Sequence, residues 1–257
     1  MKAILSGLLK RPTPGYLIHL SGTGIVSDWA EDQYLGKRNP KVWSDISSLD
    51  EIKRLPAHAL HRNTETILHD TMRDHGNRVN IAIMCPPDIY GKGKGPGKTQ
   101  SAYLPMFVNE IRSLGGRAFY YGDGMNTRSW VHIEDLMRVY VKVVEAAASG
   151  YAVDYFNSNG YYFAGTQEHT QLDVARATGQ VLYEHGVIPA AEPVSIDLTQ
   201  LDSMANIPGF PRLARYLFAS NSRSRPERAE KLFGYAPKAT GLMETLESDI
   251  VQVLTGP

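Results

Sequence analysis

The chain has 257 residues, 42% of them apolar, which suffices for one sizeable core with or without a small appended lobe and argues against two equal domains. Lysine plus arginine and aspartate plus glutamate both number 27, with neither sign gathered in a tail. That balance lacks the footprint of a nucleic-acid or anionic-membrane partner, so a small-molecule partner is expected.

Cys85 is the single cysteine, which excludes an internal disulfide and points to a cytoplasmic setting. Residues 1–11 carry a charge and then a mostly apolar run without a small-x-small cleavage pattern, and read as an amphipathic helix. No apolar run reaches about 18 residues, so no membrane span is expected. After Pro12 and Pro14, residues 16–20 read as a short apolar strand running into Ser21, Gly22, Thr23 and Gly24. Residues 27–54 are polar, with Trp29 and Trp43, and are expected to form a loop with short turns. A helical pattern returns over residues 55–75, with Leu60, Ile67, Leu68 and Met72 on one face. Residues 79–85 then read as a second buried strand ended by Pro86 and Pro87, an order that implies parallel strands joined by a helical crossover.

A glycine and lysine loop at 91–97 precedes an expected helix near 103–114 and a short strand at 118–121. Residues 129–133 look extended. Glu134 and Asp135 open a strong amphipathic helix to about residue 148, where early acids suit the helix dipole and Asp135 is the expected cap. Residues 154–157 are expected as a last sheet strand. From about residue 169 the pattern is mostly helical with proline breaks, ending in a helix near 242–254, and no internal repeat is visible.

Four motifs follow one another over almost the whole chain: Leu20-Ser-Gly-Thr23, Pro87-Asp-Ile-Tyr-Gly91, Arg128-Ser-Trp-Val-His-Ile-Glu-Asp-Leu136, and Lys231-Leu-Phe-Gly-Tyr-Ala-Pro237. In order and approximate spacing the sequence resembles the extended short-chain dehydrogenase/reductase family of NAD-dependent epimerases and dehydratases, especially its atypical fungal members. The resemblance implies an α/β fold: a partial doubly wound, Rossmann-like parallel sheet with a small, mostly helical C-terminal substrate lobe, mainly residues 169–257. Residues 1–257 would form a single NAD(P)-binding-like domain, truncated at its N-terminus. Met1 would fall in the helix before the catalytic Ser/Thr strand. About the first four strands of the family's sheet would then be missing, with the G-x-G-x-x-G turn and the acid that reads the ribose. The implied cofactor is NAD or NADP. The exposed sheet edge is expected to cause poor solubility or homodimer formation.

In the family a Ser or Thr after this strand orients a carbonyl or hydroxyl, a Tyr transfers its proton, and a Lys one helical turn later assists the Tyr and binds ribose. Thr23 occupies the Ser/Thr place with Ser21 beside it, while the residues alone also suit loop hydroxyls satisfying backbone donors. The Tyr-x-x-x-Lys pair is replaced by the stretch His61-Arg-Asn-Thr-Glu65. Tyr90 and Lys94 have the spacing, but inside a glycine loop that cannot hold a helix. His61 can carry the proton with Glu65 orienting it, against the simpler reading of a surface His–Glu helix pair. His61, Glu65 and His69 share a helical face, yet eight residues span about 12 Å, so no metal site is expected.

Pro86, Pro87 and Ile89 fall where the family brings backbone against the nicotinamide. Arg128 falls where it often contacts a substrate phosphate, a structural arginine being the competing reading. His132 is expected to pack under its strand. The stretch from Gly91 to Thr99 looks like a phosphate-binding loop, but Lys92 stands where glycine is required and Pro96 removes an amide, so it reads as a basic loop. The expected function is an NAD(P)-dependent oxidoreductase acting on a carbonyl or hydroxyl of a small organic molecule by hydride transfer, with Thr23 polarising the oxygen. A non-catalytic nucleotide-binding or regulatory relative and an inactive truncated fragment are the competing readings.

Overall fold

Val79–Cys85 is apolar at every position but Asn80 and forms the middle strand of a three-stranded parallel sheet. The computed structural model describes every residue except Lys98, Tyr151, Ala205, Asn206, Pro208, Pro211 and Pro257, and the side chain of Ala152. In chain order the strands are β1 (Gly15–Leu20), β2 (Trp43–Ser44), β3 (Val79–Cys85), β4 (Asp88–Tyr90), β5 (Phe119–Tyr121), β6 (Thr127–His132), β7 (Tyr161–Phe163), β8 (Gln167–Thr170), β9 (Val194–Ile196) and β10 (Ser224–Arg225). The helices are α1 (Lys2–Leu9), α2 (Leu49–Ile52), α3 (Arg62–His75), α4 (Tyr103–Ser113), α5 (Ile133–Ala148), α6 (Ala152–Tyr155), α7 (Gln171–Glu184), α8 (Leu198–Asp202), α9 (Glu227–Phe233) and α10 (Leu242–Thr255).

The main sheet has the order β1-β3-β7, and helices cover both of its faces. Alternate side chains of β3 explain this: Ile81 and Ile83 pack with Leu5 of α1 and Leu68 of α3, while Ala82 and Met84 pack with Val139 and Val143 of α5 and Ala229 of α9. This is the expected doubly wound α/β arrangement. β1 lies at the outer edge, with β3 as its strand partner among the described residues, and Leu20 at its end is 60% exposed.

A second core joins α4, β5 and Trp130 of β6 to α7 and α10. Phe107, Phe119 and Phe218 meet there with ring centroids 5.0–5.4 Å apart, an aromatic cluster that anchors the mainly helical lobe. The lobe thus draws on residues 103–130 as well as on residues after 170, and α9 returns to the main sheet. Beside it, β4 pairs parallel to β6, which pairs antiparallel to β8.

The structure corrects several boundaries. The helix expected from residue 55 begins at Arg62. Pro56 disfavours helix in the residue before it, and the Arg62 side chain ties the preceding segment down by donating to the Leu55 and Lys53 carbonyls. Residues 154–157 are not a strand; a short helix ends at Tyr155 and the strand comes later, at Tyr161–Phe163. Asn157 explains the displacement, because it sits at φ 56° and its side chain accepts from the Ile81 N–H and donates to the Gly76 carbonyl, fixing a turn. The polar segment 27–54 contains the short elements β2 and α2. His132, not Asp135, caps α5: its Nδ1 accepts from the Glu134 N–H at 3.1 Å. Asp135 instead accepts from the Lys238 and Ala239 amides. Among the described residues no helix is long and apolar enough to cross a membrane.

Candidate functional site

The parallel strands β1 and β3 end together, and the cleft beyond their C-terminal ends has a volume of about 370 Å³. Open parallel sheets place ligands at this end of their strands. Ser21, Pro86, Pro87 and Ile89 all line the cleft, so the fold brings four of the expected site residues onto one wall. Backbone bonds continue past the strand ends: the Ser21 N–H donates to the Met84 carbonyl at 2.8 Å and the Thr23 N–H to the Pro86 carbonyl at 3.0 Å. They hold the Ser21–Gly24 loop in register with Pro86. Thr23 is buried and does not line the cleft, its carbonyl accepting from the Ser222 hydroxyl at 2.8 Å. Of these two, Ser21 is the one that lines the cleft.

Glu65 lies beneath that wall with 0% of its surface exposed. Its Oε1 accepts from the Ser21 hydroxyl at 2.5 Å, and the Tyr161 hydroxyl donates to both carboxyl oxygens at 3.2 Å. The Cys85 thiol donates to the same Oε1 at 3.6 Å. Burial pushes the Cys85 thiol and the Tyr161 phenol up, with Glu65 adding to both, so each stays protonated as a donor. His69, one helical turn along α3, brings Nε2 to 3.9 Å from the Glu65 Oε2. The expected partnership of Glu65 with His61 is therefore replaced by one with Ser21, Tyr161 and His69.

His61 stands just before α3 at φ 65°, a backbone region that residues other than glycine rarely occupy. It is off the helix, so it shares no helical face with Glu65. Its ring lies against the glycine loop: a Cβ placed on Gly22 would sit 3.1 Å from the His61 Nε2, and one on Gly24 3.3 Å from it. Glycine at both positions makes room for the ring. The residue is exposed overall, but the packed side of the ring is desolvated, which lowers its pKa, with Glu65 opposing. Among the described residues no group of three His, Cys, Asp or Glu side chains is arranged to hold a metal ion.

Arg128, expected at a substrate phosphate, has its donors engaged inside the protein. Nε and Nη2 grip the two oxygens of Asp88 at 2.5 and 3.3 Å, and Nη1 donates to the Tyr216 carbonyl and the Ser220 hydroxyl at 2.7 and 3.0 Å. The geometry is that of the structural arginine. Its guanidinium lies 4.6 Å from the centre of the Tyr216 ring. Tyr216, absent from the sequence-based candidates, belongs to a π-helical turn over Arg215–Ala219, a form that often marks functional sites. Its hydroxyl would be 3.1 Å from a Cβ on Gly24, so Tyr216 and His61 border the same glycine. Phe210 and Trp29 continue an aromatic row from it, with ring centroids 5.8 and 5.4 Å apart in turn.

The basic loop after β4 is not organised around an anion. The Gly91 N–H donates to the Asp249 carboxylate at 3.1 Å, and Lys94 pairs with Glu134 at 2.5 Å. Lys98 lies outside the described residues.

Residues 56–158 match the family model of the NAD dependent epimerase/dehydratase family. The oxidase ucsJ of an Acremonium species is 28% identical over 257 residues, covering 96% of this chain and 72% of that protein. A dTDP-4-dehydro-6-deoxy-D-allose reductase of Streptomyces bikiniensis is 27% identical over 104 residues, 40% of this chain and 29% of the reductase. Among solved structures, the dTDP-glucose 4,6-dehydratase DesIV of Streptomyces venezuelae, bound to NAD and TYD, superposes with a TM-score of 0.55 at 17% identity. That match covers 93% of this chain and 60% of the dehydratase chain. A UDP-glucuronic acid 4-epimerase of Bacillus cereus, in complex with UDP-glucuronic acid and NAD, gives 0.57 at 16% identity over 98% of this chain and 65% of the epimerase. The Rossmann-like fold anticipated from the four motifs is the fold of these enzymes.

Proposed function

We propose that this relative of the NAD-dependent epimerases and dehydratases is an NAD(P)-dependent oxidoreductase acting on a hydroxyl or carbonyl of a small organic molecule. The observation that carries the reading is the convergence of Ser21, Pro86, Pro87 and Ile89 on one cleft wall at the ends of β1 and β3. The family match and the 28% identical oxidase support the same chemistry.

The cleft suits one end of a dinucleotide. Pro86, Pro87 and Ile89 offer an apolar wall for a nicotinamide ring, and about 370 Å³ is the size of a small-ligand site, too little for a whole dinucleotide together with a substrate. Glu65, at the place of the family's ribose-binding lysine, is fully buried and contributes nothing to that contact. When bound, the cofactor gives or takes the hydride. The chain's own residues would then position the reacting oxygen: Ser21 lines the cleft, and the buried Thr23 belongs to the loop that carries Ser21.

The test is turnover of a panel of alcohols, aldehydes and ketones with each dinucleotide in its oxidised and reduced form, followed by nicotinamide absorbance. Saturable turnover with any member supports the assignment. Saturable dinucleotide binding without turnover indicates the non-catalytic relative.

A further inference from the structure

We propose that Ser21, Glu65 and His69 form a buried proton relay that takes the place of the family's Tyr/Lys pair and carries away the hydroxyl proton when an alcohol is oxidised. The inference rests on the oxidoreductase reading above.

Three observations carry it. A serine hydroxyl has one proton, and that of Ser21 points away from the cleft to the Glu65 Oε1 at 2.5 Å. With its proton committed to Glu65, the Ser21 oxygen keeps lone pairs that can accept a substrate O–H at the cleft Ser21 lines. Glu65 is the second link. It receives hydrogen bonds from Ser21, Tyr161 and Cys85 and is shut off from solvent, so the proton needs a further carrier.

His69 supplies that carrier. Its Nε2 is buried, has no hydrogen-bond partner, and lies 3.9 Å from the Glu65 Oε2, within reach after a small side-chain adjustment. The rest of the side chain is 17% exposed, which gives the ring an outlet to water. A buried, unpartnered imidazole nitrogen facing a carboxylate is costly unless it serves a purpose, and passing a proton is such a purpose. His19, His61 and, through Cys85, Tyr140 are the other titratable groups that act on this cluster; Arg128 and Asp88 belong to a separate pair.

The step balances. The substrate C–H bond breaks as hydride passes to oxidised NAD(P), and its O–H bond breaks as the proton passes to the Ser21 oxygen. The Ser21 proton moves to Glu65 and from there through His69 to water. The alcohol becomes a carbonyl and the dinucleotide is reduced. Ser21 is the catalytic residue, and Glu65 and His69 act through it as positioning residues.

The decisive experiment compares alcohol oxidation by the full chain with that of Glu65→Gln, Glu65→Asp and His69→Gln. Glu65→Gln keeps the shape and an acceptor for Ser21, and its kcat is expected to fall about 100-fold or more with KM within about threefold, Glu65→Asp recovering part of the loss. His69→Gln changes a residue at the edge of the cluster; its kcat is expected to fall about tenfold and to recover with added imidazole. A separate readout is the Ser21–Glu65 proton itself, expected in proton NMR as a far-downfield, exchange-protected signal in the wild type and in His69→Gln, and lost in Ser21→Ala. Turnover that survives both Glu65→Gln and His69→Gln unchanged, or a His69→Gln defect that imidazole leaves untouched, overturns the relay. A wild-type chain that oxidises no alcohol and reduces no carbonyl overturns the oxidoreductase reading instead.

Discussion

The Arg128 guanidinium grips the Asp88 carboxylate through Nε and Nη2 at 2.5 and 3.3 Å, with the arginine 3% exposed and the aspartate 13%. Asp88 lines the cleft and Arg128 reaches from it to the Tyr216 carbonyl and ring, so this one pair fastens the sheet side of the cleft to the lobe. A lysine at 128 keeps the charge but loses the fork that spans Asp88, Tyr216 and Ser220. Arg128→Lys is expected to cost about 3 kcal/mol of stability, within the range for breaking buried pairs. A urea midpoint that does not move would contradict this.

Asp45 gives the protein a pH dependence. It is fully buried, its oxygens accepting from the Phe163 and Arg228 amides at 2.9 and 3.0 Å, and burial raises its pKa to about 7 against the opposing hydrogen bonds. A carboxyl raised in the folded state stabilises while it stays protonated. Its contribution is complete below the ordinary value of 3.8 and is lost as pH rises through about 7, with an upper bound of about 4 kcal/mol. Unfolding free energy measured from pH 4 to pH 8 is expected to fall across that window, and Asp45→Asn to flatten the slope.

Gly91 is a position where no side chain fits. It adopts φ 82°, and a Cβ there would lie 2.3 Å from the His132 Nε2, the ring that caps α5. Gly91→Ala is expected to cost about 2 kcal/mol or more, through strain and displacement of the cap. Gly95→Ala is the control, since nothing lies within 4 Å of its Cβ, and should change thermal stability by less than about 0.5 kcal/mol. Equal melting temperatures for the two variants would refute the assignment.

Local pattern alone was enough for the elements that carry most of the fold. The apolar run of β3 and the amphipathic period of α5 required burial on defined faces, and they lie where that requirement puts them. The start of α3 was not legible, because His61 adopts a left-handed conformation that side-chain periodicity does not report. The β7 strand was misplaced because the Asn157 turn depends on Ile81 and Gly76, residues distant in sequence. At the site, Ser21, Pro86 and Pro87 were visible because each follows a strand end, and Ile89 because it belongs to the Pro87–Gly91 motif. The partnership of Glu65 with Ser21 was not, since it spans 44 positions and exists only when α3 packs on the sheet. Tyr216 carried no local signal at all; its neighbours Arg128, His61 and Gly24 come from three other segments.

The central claim is that the cleft at the ends of β1 and β3 receives the nicotinamide end of the dinucleotide. Ile89 is a half-buried residue lining that cleft, and Ile89→Trp adds bulk to the space without changing Ser21 or Glu65 themselves. The direct measurement is a fluorescence titration of the wild-type chain and of Ile89→Trp with NADH and with NADPH. Saturable binding by the wild type, weakened at least about tenfold in a variant of unchanged melting temperature, is the predicted result. Equal affinity in the two proteins, or no saturable binding to the wild type, would contradict it.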